Sequence, residues 1–208
     1  MEDNPDFSKA YKDLIQKYTK DVDLRLRDTK RTDLRNIKLE KADLTGMNLA
    51  DANLEKANIE AAILDGVDLT GAKLIRVRGD FASFRRAILN EADMKFSRMW
   101  FSDFEGAQLK NAKMNPIELY HANLKFANLE GANLTGSGLM EAKLQSANLK
   151  DADITGVTFK NAKFDKNTDM RVDNFDQISV DHMDPSIGEV ELINQDLLAK
   201  LKNRGIIR

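Results

Sequence analysis

From Arg31 to Ile75 the chain reads RTDLR NIKLE KADLT GMNLA DANLE KANIE AAILD GVDLT GAKLI, and this five-residue frame runs on without insertion to Asp165. The fourth residues of its 27 blocks are 17 Leu, four Phe, three Met, two Ile and one Gly, Gly79. The second residues are 17 Ala, three Val, three Ser and one Thr, with Ile37, Met47 and Ile117 as the larger exceptions. A period of five carries apolar residues around the surface of a helix and buries no continuous face, so helix is excluded here. Inward residues spaced two apart, with polar residues around them, fit a very short strand. The chain must then turn in every block. Alanine beside leucine marks an interior too narrow for two large side chains per strand.

Blocks such as Ala42-Asp43-Leu44, Ala52-Asn53-Leu54, Ala132-Asn133-Leu134 and Ala147-Asn148-Leu149 resemble the A(D/N)LXX pattern of the pentapeptide-repeat family. The resemblance covers about two thirds of the chain. It implies that four blocks close one square coil. The fold class is then an all-β solenoid: a right-handed quadrilateral parallel β-helix of about seven coils, ~32 Å long at the ordinary inter-strand spacing. Stability in such a rod resides in the stacking of each coil on the next, and its ends need covering.

The flanks depart from the period. Residues 1–30 read as an N-terminal cap and lead-in. Asn4-Pro5 starts an amphipathic helix over residues 5–19, which carries Phe7, Ala10, Tyr11, Leu14, Ile15 and Tyr18 at helical spacing. Residues 166–208 read as a tail: the period lapses through Asn167 to Pro185, and Val190, Ile193, Leu197 and Leu201 then mark a second helix over about 188–203. That helix either caps the last coil of a monomer or pairs with a twin chain, as C-terminal elements do in the family's gyrase-protecting members.

Chemistry has little to work with. Cysteine is absent, and only His121 and His182 are available as imidazoles. Neither disulfides nor thiolate metal sites are possible, and no cofactor or metal is expected. Asp and Glu are plentiful but occupy outward positions, where solvated charge is the default. The glycines Gly46, Gly66, Gly106, Gly131, Gly136 and Gly156 fall beside the turns and serve backbone geometry, not a phosphate loop. The reading is non-enzymatic. A net charge of -2 gives no global attraction to nucleic acid or an anionic membrane, and neither is an expected partner. The chain opens without a basic, apolar leader, so the cytoplasm of a bacterium is the expected location.

Two function classes stay open. Stacking four blocks per coil aligns residues twenty apart, and one corner carries the column Glu60, Asp80, Trp100, Tyr120, Met140 beside Phe81, Phe101 and His121. Phe96 precedes this face, Phe126 lies on the next, and Arg78 and Arg98 share a column with Lys38. Aromatic rings rimmed by arginine are the chemistry of protein interfaces. The expected site is therefore protein-binding: Phe81, Phe96, Trp100, Phe101, Tyr120 and His121, with Arg78 and Arg98 at the rim. A covering segment of the same chain, or rings merely turned along the surface, would explain the corner equally. The other class comes from the resemblance: some members protect DNA gyrase by imitating duplex DNA. Residues 31–165 hold 19 Lys and Arg against 19 Asp and Glu, a neutral rod, which argues against an anionic mimic. The unbroken register also predicts a gap at Gly79, between Ile59 and Met99, with a kink or bulge there.

Overall fold

The computed structural model describes residues 33–172. The expected helices over 5–19 and 188–203 lie outside the described residues.

Parallel bridges join the third residue of each block to the third residue twenty positions on, from Asp33 with Asn53 to Lys143 with Lys163. Four blocks therefore make one coil, and every side of the rod is a ladder of single-residue bridges. In a block whose third residue is Asp or Asn, each of the five N–H groups has an acceptor, as burial beside a dry core requires. The fourth residue donates to the third of the next coil (Leu34 to Asn53 O, 2.7 Å) and the first to the fifth of the next coil (Asn36 to Glu55 O, 2.9 Å). The third residue donates to the second of the preceding coil (Asn58 to Ile37 O, 2.8 Å), and the second closes a turn onto the preceding fourth (Ala42 to Leu39 O, 3.0 Å). The remaining N–H, on the fifth residue, is accepted by the Asp or Asn side chain two residues earlier, as in Thr45 to Asp43 Oδ1 at 3.0 Å and Glu55 to Asn53 Oδ1 at 3.1 Å. This local Asx bond is why the third position favours Asp and Asn.

Each turn carries a positive φ at the first residue of the following block, between +55° and +69° from Asn36 to Asn161 with Pro116 as the exception. That is the third position of a type II turn, where glycine and asparagine fit best. Seven of these residues are Gly and 18 are not, so the ladder over-determines a conformation that most side chains resist.

The fourth residues fill the interior, and the second residues line the corners, nearly all without solvent contact. Three second residues are serines, and their hydroxyls are used. Ser97 Oγ donates to Leu74 O at 2.5 Å and accepts from Val77 N–H at 2.9 Å. Ser137 does the same between Met114 O (2.8 Å) and Ile117 N–H (3.1 Å), two coils further on.

Two expectations need correction. There is no kink or bulge at Gly79: its N–H donates to Arg98 O at 2.8 Å, Arg78 bridges Asn58 and Arg98 in register, and its φ is not in the left-handed region. Met99 closes the gap, its sulfur crowding the space that a Gly79 Cβ would need, while Phe81 is exposed. The same coil holds Phe84, stacked on Phe104 at 4.7 Å, so a larger neighbouring centre accompanies the missing side chain. The coil also runs on past Asp165. One extra residue intervenes, Asn148 bridges Asp169 at a spacing of 21, and Thr168 and Met170 are buried in the places of Ala and Leu. Asp165 organises this insertion by accepting from Ser146 N–H and Oγ, both at 2.8 Å, and from Asn167 N–H at 3.0 Å.

Candidate functional site

The aromatic corner grows from one failure of the Asx rule. Arg98 occupies a third position but has no acceptor to offer the Trp100 N–H. The acceptor comes instead from the preceding coil: Asp80 Oδ1 takes that N–H at 3.2 Å and Arg98 Nε at 3.1 Å, while Asp80 Oδ2 takes the Arg98 Nη2. Asp80 is thereby almost fully buried. Its hydrogen bond holds the Arg98 guanidinium above its ordinary pKa, outweighing the burial that pulls the other way. The guanidinium then lies 5.1 Å from the Trp100 ring centre, a cation–π contact. Trp100 Nε1 donates to Glu118 Oε2 at 2.8 Å, and the ring meets Tyr120 at 5.6 Å with a tilt of 39°. Tyr120 in turn rests on Gly138, where a Cβ would come within 2.2 Å of its Cε1.

A second stack runs beside the first. Phe81 and Phe101 are parallel with centres 5.1 Å apart, and His121 stacks on Phe101 at 4.5 Å. His121 Nδ1 lies 3.2 Å from Glu141 Oε2 and ends the ladder. A shallow groove follows it, lined by Phe101, His121, Glu141, Lys143, Asn161 and Lys163.

The structure thus brings Phe81, Phe101 and His121 into one stack and Trp100 and Tyr120 into its neighbour. Arg98 is a support under Trp100 and not a free rim cation, because Asp80 neutralises it. Arg78 does stand at the rim, exposed, 3.6 Å from Glu60. Phe96 sits at the other corner of the same side, where Arg76 covers it at 5.7 Å. Phe126 is exposed on a third corner and apart from both stacks. Trp100, Tyr120 and His121 are half-buried, whereas Phe81, Phe96 and Phe101 are 59%, 58% and 47% exposed. The supporting roles of Asp80, Glu118, Glu141 and Gly138 escape a reading by position type. The signals for them are the missing acceptor at Arg98 and the glycine at a third position. Among the described residues no cluster of His, Cys, Asp and Glu could hold a metal ion.

A four-sided parallel solenoid of five-residue blocks defines a repeat protein. The family model for pentapeptide repeats matches residues 30–66, 62–100, 102–139 and 139–166, and the chain belongs to the pentapeptide-repeat family. No curated protein matches it. Among solved structures it is similar to HetL, a pentapeptide repeat protein involved in heterocyst differentiation regulation from the cyanobacterium Nostoc sp. strain PCC 7120. The identity there is 20% over 76% of this chain and 92% of that one, with a TM-score of 0.24. Full-length QnrB1, a plasmid-mediated fluoroquinolone resistance protein, matches at 16% identity over 84% of this chain and 97% of its own, with a TM-score of 0.30. A pentapeptide repeat protein from the Arabidopsis thaliana thylakoid lumen matches at 22% over 68% and 76%, with a TM-score of 0.21. Likeness at this level transfers no residue role to this chain.

Proposed function

We propose that the rod is a non-enzymatic protein-binding module whose contact surface is the corner of Phe81, Phe101 and His121 with Trp100 and Tyr120, flanked by Phe96. One observation carries the reading. Phe81, Phe96 and Phe101 all occupy the positive-φ position, which a glycine or asparagine would satisfy at less cost, and they stay largely exposed. Neither backbone geometry nor the core explains them. An aromatic cluster left uncovered among the described residues is the usual mark of an interface. Arg78 would steer association, and the rings would contribute most of the affinity.

The test is Phe81→Ala with Phe101→Ala. Their side chains leave the core untouched, so melting temperature should hold while partner capture in a pull-down is lost. Retention of every partner by a stable variant would sink the reading.

The gyrase-directed alternative is favoured by no observation on the rod. Over residues 33–165 the four sides carry net charges of only -3, +2, -1 and +1, far from the dense anionic array of duplex DNA. A supercoiling assay with gyrase and a quinolone decides it: protection by this chain would revive the mimic.

A further inference from the structure

We infer that the partner of this surface is a second copy of the chain, the two rods lying side by side and antiparallel about a two-fold axis through the row of Phe96, Arg98, Trp100 and Phe101. The inference rests on the proposed binding role of that corner and names its occupant. Two-fold pairing of this kind lays each column of one rod on the same column of the other, reversed end for end. The third-residue column of this side is fixed by bridges from Lys38 through Arg78, Arg98 and Glu118 to Thr158, so its reversal can be read rung by rung.

Reversed about Arg98, Arg78 meets Glu118 of the partner subunit. In the adjoining column Glu40 meets Lys160 of the partner subunit, three rungs or ~14 Å from the axis. At the corner Phe81 meets the partner's His121. Phe96, Trp100 and Phe101 each meet their own copies at the centre. Symmetry makes every off-axis pairing occur twice. The remaining encounters on this side set a charge against a neutral residue, such as Lys38 against Thr158 of the partner subunit, or two neutral residues together, such as Asn58 against Gly138 of the partner subunit. The two Arg98 side chains are the one like-charged encounter, and each is already neutralised by its own Asp80.

Self-complementarity is not a property of the repeat in general. The same reversal on the side that runs from Asp33 through Lys73, Asp93 and Lys113 to Asp153 would set Asp33 on Asp153 and Lys73 on Lys113. Like charges directly opposed are destabilising, so that side is built against such pairing. The favoured side also places Phe96 and Phe101 on the axis, where anchors count most, with ion pairs away from it. One side of a rod this short buries an area at the low end for a specific interface, so the dimer should be weak and salt-sensitive.

Sedimentation equilibrium on the full chain tests this. A monomer–dimer equilibrium that weakens with salt is expected. Lys160→Glu and Glu40→Lys should each weaken it about tenfold, the equivalent of ~1.4 kcal/mol, by setting like charges at both ends. An equimolar mixture of the two variants should recover the wild-type association, because the mixed pair restores opposite charge at both ends. A wild type that stays monomeric, a dimer indifferent to both variants, or a mixture that fails to recover would overturn the inference. Phe96→Ala with Phe101→Ala separates this failure from that of the underlying reading. If the wild type is monomeric yet this variant loses a captured protein, the corner binds something other than its own copy. If the variant changes neither association nor capture, the binding role falls as well.

Discussion

The Asp80 carboxylate, folded almost out of solvent, holds Arg98 so that its guanidinium lies 5.1 Å from the centre of the Trp100 ring. The same carboxylate accepts the Trp100 N–H, so one side chain orients a cation, a backbone and an indole. Asp80→Ala should cost about 1–3 kcal/mol, because it leaves a donor and a charge without their partner. Asp80→Asn, which keeps an acceptor but not the charge, should fall between. Trp100 is the chain's single tryptophan, so its fluorescence reports the loss directly. An emission spectrum unchanged in Asp80→Ala would show that the ring does not depend on this clasp.

Gly138 leaves room for Tyr120, since an added Cβ would enter the ring. Gly138→Ala should therefore displace the tyrosine and destabilise by about 1–3 kcal/mol, the usual range for overpacking. If the clash is the cause, Tyr120→Ala in the Gly138→Ala background should cost less than the two changes added. Simple additivity in thermal melts would locate the effect in the backbone instead.

Residues are legible in this sequence to the extent that the rod's interior selects them. Leu124 and the other centres had to be apolar, and Ala122 and its equivalents small, so the register and the inward set could be read directly. The left-handed turn position is less visible, because glycine holds only seven of its places and residues such as Lys41 and Phe81 hold others. Its trace is negative: no Val, Ile or Thr stands first in any block from Asn36 to Asp165, as a positive φ excludes β-branched side chains. The extra residue after Asp165 conceals the continuation of the coil, since Thr168 and Met170 arrive one place late. At the corner, outward position was legible but posture was not. Rungs only ~4.8 Å apart make each large ring lie on its neighbour, which is why Trp100 and Tyr120 are half-buried.

Leu124 has no solvent contact and sits in a narrow interior whose walls are fixed by the bridges of Asn123 to Asp103 and Lys143. Leu124→Lys brings in a charge with no partner and should destabilise by more than about 4 kcal/mol. A melting temperature equal to wild type would refute the inward assignment of the fourth residues.

Acid should loosen the C-terminal end of the rod. Burial raises the Asp165 carboxyl, but hydrogen bonds from Ser146, Thr168 and Asn167 outweigh it and hold the group below its ordinary value. An unfolded Asp titrates near ~3.9, and the folded one lower. Its contribution is therefore complete above that value and is lost as pH falls through the folded pKa. The protection of the Ser146 amide, its hydrogen-exchange rate set against the intrinsic rate at each pH, should fall at the acid end of a series from pH 6 to pH 2 in the wild type. Asp165→Asn should show weaker protection already at pH 6 and a smaller change on acidification. Identical profiles would mean that Asp165 does not hold the insertion.

Met99 occupies the space that Gly79 leaves, with its sulfur 2.4 Å from where a Cβ would stand and Ile59 Cγ1 at 3.3 Å on the other side. Because the backbone there is regular, the glycine serves volume and not conformation. Gly79→Leu alone should destabilise by about 1–3 kcal/mol through overpacking. The cause lies in one flexible side chain, so shortening that side chain should relieve it: Gly79→Leu with Met99→Ala moves the bulk from one coil to the next at nearly constant volume. Cores tolerate exchanges of this kind better than either change alone. Thermal melts of the two single variants and the pair give the coupling. Recovery in the pair supports exchange of volume between the coils. A pair as unstable as the sum of its parts would show that the position itself, not the space above it, requires glycine.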